Sequence, residues 1–461
     1  MFGSKLGVGL QVPRLTKDFS MPGHWKRSFS LFSRRPRRPT APVLTGPVDE
    51  ELLPNDRLKY FHPTQPGQVL GGRYKTIAKL GFGSGSTVWL AENLAFTRWG
   101  KSDIPRYVSI KIPASDVESA DEVGWMKLIS SADPSHEGLS YIRTLIDVFD
   151  LQGEGGTHTC LVFEPMRETL YQFQRRLPRQ RLGLPIFKAY VFCLLQALDY
   201  LHTECRLIHT GIKDDNIMVT IEHDSVLKDL VHYYETNSQP RHIRTEDGRT
   251  TYLSHDEFGG LRGTTILPRL SDFNLCFPGL PDNRGHLTPI QSHRYRAPEV
   301  FLGCPWSYSA DIWNLGLMMW NLLEDISLFN RPAGEDGEYD AHVHLAQMVS
   351  VLGSPPEALV LRERMCRKAK LGRVVMNQKG KECETMNEFW GGPFFDEDGC
   401  IVRKDLIEEG KELSGTVTEL VGEEKEHFVD FAASMLQWLP EKRKTAKELL
   451  QHSFLDDVRG P

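Results

Sequence analysis

The residues of this chain most suited to chemistry are a glycine-rich run, one strand lysine and two short polar clusters. In Leu80-Gly81-Phe82-Gly83-Ser84-Gly85-Ser86-Thr87-Val88, glycines recur at alternate positions. There backbone N–H groups can approach phosphate oxygens with no side chain intervening. Tyr74–Lys79 before the run and Val88-Trp89-Leu90 after it are strand-like, so the run is strand–turn–strand. A dinucleotide-binding turn needs a helix after its glycines, which disfavours that alternative. Val108-Ser109-Ile110-Lys111 is a second β-branched run, ending in a cation. The first polar cluster is Leu207-Ile208-His209-Thr210-Gly211-Ile212-Lys213-Asp214-Asp215-Asn216, with a lysine, two carboxylates and an amide. The second, Leu270-Ser271-Asp272-Phe273-Asn274-Leu275, adds one more carboxylate. Cations beside hard oxygen donors suit the handling of phosphate and a hard metal ion.

Several elements must position these groups. Thr159-Cys160-Leu161-Val162-Phe163 predicts a buried strand that ends at Glu164-Pro165-Met166. Pro185 to His202 predicts an amphipathic helix leading into the first polar cluster. Val123, Met126 and Ile129 place a helical face beside Glu122, although Gly124 weakens that helix by about 1 kcal/mol relative to alanine. Residues 220–268 form a polar insertion, with Glu235-Thr236-Asn237-Ser238-Gln239-Pro240 as a loop. Farther on stand His293-Arg294-Tyr295-Arg296-Ala297-Pro298-Glu299, Ser309-Ala310-Asp311-Ile312-Trp313-Asn314 and Leu439-Pro440-Glu441-Lys442-Arg443.

In this order and spacing the motifs resemble the eukaryotic protein kinases over residues from about 56 to 455, and look most like the SR-protein-specific kinases and their fungal relatives. Ser86-Thr87-Val88-Trp89-Leu90-Ala91, Ile208-His209-Thr210, Tyr295-Arg296-Ala297-Pro298-Glu299-Val300, Trp306-Ser307-Tyr308-Ser309-Ala310-Asp311-Ile312-Trp313-Asn314 and Leu436-Gln437-Trp438-Leu439-Pro440 carry the likeness. It implies an α+β bilobal fold: a small, mostly β lobe over 56–166 with the hinge, and a larger helical lobe over 167–455. A basic arm, 1–55, precedes them and a tail, 456–461, follows. ATP and Mg²⁺ are the implied cofactors, and the implied activity is phosphorylation of serine or threonine in protein.

By the same resemblance Leu80, Gly81, Gly83, Ser84, Gly85 and Val88 cover the nucleotide. Lys111 holds its α/β-phosphates and Glu122 orients Lys111. Phe163 guards the adenine pocket, and the backbones of Glu164 and Met166 meet the adenine edge. Asn216 and Asp272 bind Mg²⁺, and Lys213 neutralises the γ-phosphate. Asp311 braces the catalytic-loop backbone and Arg443 pairs with Glu299. Thr210 stands in the usual arginine place, implying that no arginine there senses a phosphorylated activation segment. Asn274 replaces the glycine after Asp272 and suits a left-handed backbone better than most residues.

One member is changed. Gly211 stands where the family has the aspartate that takes the proton of the attacking hydroxyl. Three readings follow: an ATP-binding pseudokinase impaired in transfer, a working kinase with an altered mechanism, and a nucleotide-free scaffold or interaction module. Asp214 and Asp215 are the nearby candidates to replace the base.

The net charge of −6, with 40% hydrophobic and 25% charged residues, implies neither nucleic-acid nor anionic-membrane affinity. The eight cysteines contain no C-x-x-C pair, which points to a reduced intracellular setting, cytoplasmic or nuclear. No long apolar run predicts a membrane span. A monomer that meets a protein substrate or partner, Arg/Ser-rich by the family likeness, is expected. Residues 1–48 carry nine Lys/Arg against Asp18 alone. Such an arm suits a disordered tail, a mitochondrial transit peptide or a nuclear-import patch.

Overall fold

The structure, a computed structural model, describes residues 42–97, 104–281, 284–330 and 332–459. The chain divides into two compact units. The smaller comprises Met1–Ala120, Leu145–Arg167 and Thr220–Ile266; the larger comprises Asp121–Thr144, Glu168–Val219 and Leu267–Pro461. The Glu122 segment, placed in the first lobe from sequence, thus groups with the larger unit, and the insertion groups with the smaller.

The smaller unit is built on a six-stranded sheet. Its strands are β1 (Val69–Leu70), β2 (Tyr74–Gly83), β3 (Ser86–Asn93), β4 (Tyr107–Pro113), β5 (Leu145–Gly153) and β6 (Gly156–Phe163), in spatial order β1-β2-β3-β4-β6-β5. All neighbours are antiparallel. One face buries Trp89, Ala91, Val108, Ile110, Cys160 and Val162 together. The other face carries Leu90, which packs against Val226, Leu230, Val231 and Phe258 of the insertion. Two covered faces explain why β3 is apolar at consecutive positions rather than alternating.

The insertion departs from its expected form. It is not a loop-rich spacer: Asp224–Thr236 is a helix, and Arg241–Ile243 pairs with Thr250–Tyr252 as a hairpin. Glu235 and Thr236 end that helix instead of opening a loop. Val226, Leu230 and Val231 lie on its buried side, and each large apolar side chain so buried contributes about 1.5–3 kcal/mol of transfer free energy.

Residues 42–55 are likewise not a continuation of the basic arm; Met1 to Ala41 lie outside the described residues. The short helix Asp49–Leu52 is clamped to β2 by buried charge. Lys79 Nζ, fully buried, meets Asp49 Oδ2 at 2.9 Å, the Glu50 carboxylate and the Tyr252 carbonyl at 3.0 Å. Burial pushes the Glu50 carboxyl upward, and the Lys79 charge opposes it. Gln239 grips the Lys79 backbone from both sides: Lys79 N donates to Gln239 Oε1 at 2.9 Å, and Gln239 Nε2 donates to Lys79 O at 2.8 Å. Thus the insertion and the residues ahead of the sheet jointly hold the strand that enters the glycine-rich turn.

The larger unit is mainly helical. Leu184–Thr203 and Ser309–Glu324 are its central helices, and both are largely buried. By length and composition Leu184–Thr203 could cross a bilayer. Here it is a core helix, with Phe187 set edge-on against Phe428 and Phe454. Glu299 and Arg443, with both side chains fully buried, form a two-pronged ion pair with each contact at 2.6 Å, as the family resemblance implies. Arg443 also lies over the Trp313 ring at 4.8 Å and donates to the Ser309 and Gln437 carbonyls. All eight cysteines are free thiols.

Candidate functional site

In the smaller unit the glycine-rich run is a hairpin whose turn is Ser84-Gly85, with Gly83 opposite Ser86 and Gly81 opposite Val88. Apart from immediate chain neighbours, no described residue comes within 4 Å of where a side chain on Gly81 or Gly83 would begin. That open backbone fits an approaching phosphate. Gly85 has another reason: a Cβ there would meet Val117 Cγ2 at 3.0 Å. Leu80 is partly buried against the insertion cluster.

Lys111 is fixed by its ladder, opposite Val88 on one side and Leu161 on the other. Phe163 ends β6 opposite Ser109 and is buried. Ser109 Oγ donates to the Glu164 carbonyl at 3.1 Å, fixing the first hinge peptide. Met166 is buried too. Its neighbour Arg167 ties this segment to the insertion in a way no motif announced. Arg167 Nη1 donates to both Glu222 oxygens at 2.8 and 2.9 Å, and Nη2 donates to the Gly259 carbonyl at 2.5 Å.

In the larger unit two short ladders hold the ends of both polar clusters. Leu207–Ile208 pairs with Phe277–Pro278, and Ile217–Val219 pairs with Pro268–Leu270 and with Glu168–Thr169. Between them the Asp311 carboxylate accepts the backbone N–H of His209 and of Thr210, both at 2.7 Å, and lies 3.0 Å from His202 Nε2. This bracing holds Thr210 at φ +63°, a left-handed conformation that a β-branched residue adopts only under constraint. Thr210 Oγ1 adds a bond to the Leu275 carbonyl at 2.7 Å. His209 is buried, meets the Ser271 carbonyl at 3.1 Å and sits edge-on to Phe273. Burial drives its imidazole pKa down, so it is a neutral structural ring.

Asn216 Nδ2 donates to the Gly211 carbonyl at 2.9 Å, and Ser271 N and Oγ both reach the Asn216 carbonyl at 2.9 Å. One network therefore joins the two metal-ligand candidates' segments. The left-handed residue of the second cluster is Asp272, at φ +67°, and not Asn274 as its chemistry suggested. Aspartate is among the few non-glycine residues that visit this conformation, and Asn274 does not adopt it.

Gly211 N donates to His209 Nδ1 at 3.2 Å, so the loop keeps its turn with no side chain at this position. Lys213 is partly exposed, with Nζ 4.0 Å from Asp215 Oδ2. Asp214 is buried, at 2% exposure, and its Oδ1 has no hydrogen-bond partner among the described residues. Burial raises its pKa, and the neighbouring Asp215 charge adds to that. Tyr295 gives its hydroxyl hydrogen to Asn321 Oδ1 at 2.8 Å. Glu122 is buried on the helix Ala120–Ser131. Sequence reasoning missed Arg167, Glu222 and His202, which carry no motif, and it missed the burial of Asp214.

Among the described residues no group of three or more His, Cys, Asp or Glu side chains could hold a metal. Asn216 and Asp272 instead offer two hard oxygen donors, a set that fits a magnesium ion completing its shell with phosphates and water.

The protein kinase domain family matches residues 261–455. A serine/threonine protein kinase of Aspergillus fumigatus is 32% identical over 435 residues, covering 92% of this chain and 97% of its own. The serine/threonine-protein kinase SRPK of Physarum polycephalum is 28% identical, with 86% and 89% covered. SRSF protein kinase 3 of Homo sapiens is 24% identical, with 90% and 92% covered. The crystal structure of a kinase domain aligns with a TM-score of 0.58 at 20% identity, covering 86% of this chain and 99% of its own, which shows the fold alone.

Proposed function

The chain belongs to the serine/threonine protein kinase family, with SRPK-type kinases among its relatives, and on that premise we propose that it binds Mg²⁺·ATP but transfers the γ-phosphate slowly because its general base is missing. The single observation that carries this is the state of the loop. Its backbone is braced by Asp311 and Asn216, yet position 211 has no side chain, and the adjacent Asp214 is buried.

Each half of the proposal rests on particular residues. The open backbone at Gly81 and Gly83, with Lys111, would cradle the phosphates. Ser84, Gly85 and Val88 shape that turn; Leu80, Phe163, Glu164 and Met166 would receive the adenine. Asn216 and Asp272 would hold magnesium, which when bound neutralises charge on the phosphates. Lys213 would face the γ-phosphate, and Glu122 would orient Lys111. The proposed protein substrate is an Arg/Ser-rich segment, by similarity to the SRPK and SRSF protein kinase relatives. Without a group to accept the hydroxyl proton, acceleration rests on positioning and electrostatics, which supply most of phosphoryl-transfer catalysis.

A second reading, a working kinase with an altered base, is favoured by one observation: Asp215 is half exposed beside Lys213. Asp214→Asn and Asp215→Asn separate the readings. Both variants are expected to transfer phosphate within about twofold of the native chain, whereas loss of a working base costs roughly 10²–10⁴-fold. A drop of that size in either variant would assign the base to that carboxylate.

Nucleotide binding is tested by thermal unfolding with and without Mg²⁺·ATP. A ligand at 100 times its Kd stabilises by about 2.7 kcal/mol, and Lys111→Ala should remove most of that shift. A melting temperature that does not move at millimolar nucleotide would overturn the proposal in favour of a nucleotide-free interaction module.

A further inference from the structure

The insertion carries a groove that no step of phosphoryl transfer uses. It has a volume of about 450 Å³ and runs between the helix Asp224–Thr236 and the segment 253–259. Leu230 and Phe258 form its apolar floor, and the exposed Tyr233 and Leu253 rise on its sides. Three carboxylates line it against one guanidinium. Arg262 is already matched to Asp229 at 2.6 Å. Asp256 and Glu257 are exposed and make no ion pair among the described residues. The groove therefore suits a basic segment with apolar stems.

The chain delivers such a segment to this place. Pro42 O accepts a bond from Arg241 N at 3.2 Å, and Leu44 N donates to Arg241 O at 2.8 Å. The first described residues thus run beside Pro240, which lines the groove. Arg34-Arg35-Pro36-Arg37-Arg38 ends four residues before Pro42, a separation that an extended chain spans in about 14 Å at most. A tether this short gives an effective concentration in the millimolar range, far above that of a free peptide.

We propose that the Arg34–Arg38 run of the chain's own arm docks in this groove. Its guanidinium groups pair with Asp256 and Glu257, and its aliphatic stems and Pro36 lie on Tyr233 and Leu253. Docked there, the basic run is withheld from other anionic partners. Exposed ion pairs make the contact weaker as salt rises.

The test compares three full-length chains by hydrogen exchange: native, arm-neutralised (R34S, R35S, R37S and R38S together) and groove-reversed (D256K with E257K). Backbone amides of 253–259 should exchange about tenfold faster in both variants than in the native chain at low salt. A labelled synthetic peptide of residues 30–41 should bind the arm-neutralised chain at least tenfold more tightly than the native chain, whose groove is filled. Leu253→Ser replaces the groove-reversed chain if that one melts early. Equal exchange and equal peptide affinity in native and arm-neutralised chains would overturn the proposal. An unrelated Arg/Ser-rich peptide that binds both of these chains equally tightly would assign the groove to a separate basic partner and overturn it too.

Discussion

Gly211→Asp should raise the rate of phosphate transfer to an Arg/Ser-rich peptide by roughly 10²–10⁴-fold, the usual worth of a positioned general base. The position accepts the side chain. A Cβ there would lie 3.3 Å from Asn216 Nδ2, 3.6 Å from His209 Nδ1 and 3.7 Å from His209 Cε1, so only the Asn216 amide has to shift by a few tenths of an ångström. The surrounding bonds from Asp311 to His209 N and Thr210 N do not involve the new group. The gain should therefore fall on kcat and leave KM for ATP nearly unchanged, the signature of an interaction made only in the transition state. Gly211→Asn, of like shape but without basicity, should give no such gain. Initial rates of the three chains side by side decide the matter; equal rates for the native chain and Gly211→Asp would contradict a missing base.

The largest stability effect is expected at the ion pair joining Glu299 and Arg443. Arg443→Met keeps part of the side-chain length but removes the guanidinium that lies over Trp313, and strands the Glu299 carboxylate at zero exposure. Removing one partner of a buried pair costs about 3–5 kcal/mol, because the remaining charge is desolvated and unmatched. Replacing both, with Glu299→Met and Arg443→Met together, should recover a large part of that loss. Urea unfolding of the two single variants and the double variant measures the coupling. If the double variant loses the sum of the singles, the pair does not act as a unit.

Some of this molecule was plain in its sequence. The protein-kinase fold, mixed α and β, was legible in the ordered motifs that carry the family resemblance, and the Asp311 brace and the Glu299–Arg443 pair stand where that resemblance implies them. These were legible because the motifs that carry the resemblance include their residues. The insertion was not. Val226, Leu227, Leu230, Val231 and Tyr234 do recur at helical spacing, but Lys228, Asp229 and His232 between them dilute the signal, and the apolar partner Leu90 lies far away in the chain. The role of Asp49 and Glu50, inside the segment assigned to the basic arm, was hidden as well, since nothing local reveals that Lys79 is buried against two carboxylates. Asp214 is one of two candidate substitute bases by position; its burial, made by neighbours distant in sequence, was not legible there. The left-handed φ of Asp272 was equally hidden, because nothing local marks which residue of the second cluster turns that way.

The central claim is that this chain keeps its nucleotide site and lacks its base. A single-turnover experiment tests it most directly: native protein in excess is loaded with Mg²⁺·ATP, mixed with an Arg/Ser-rich peptide and quenched over time. The predicted result is stoichiometric bound ATP that passes its γ-phosphate to the peptide at least about 10²-fold below the 1–100 s⁻¹ typical of protein kinases. Bound ATP consumed within that typical range, or no ATP bound at all, would contradict the account.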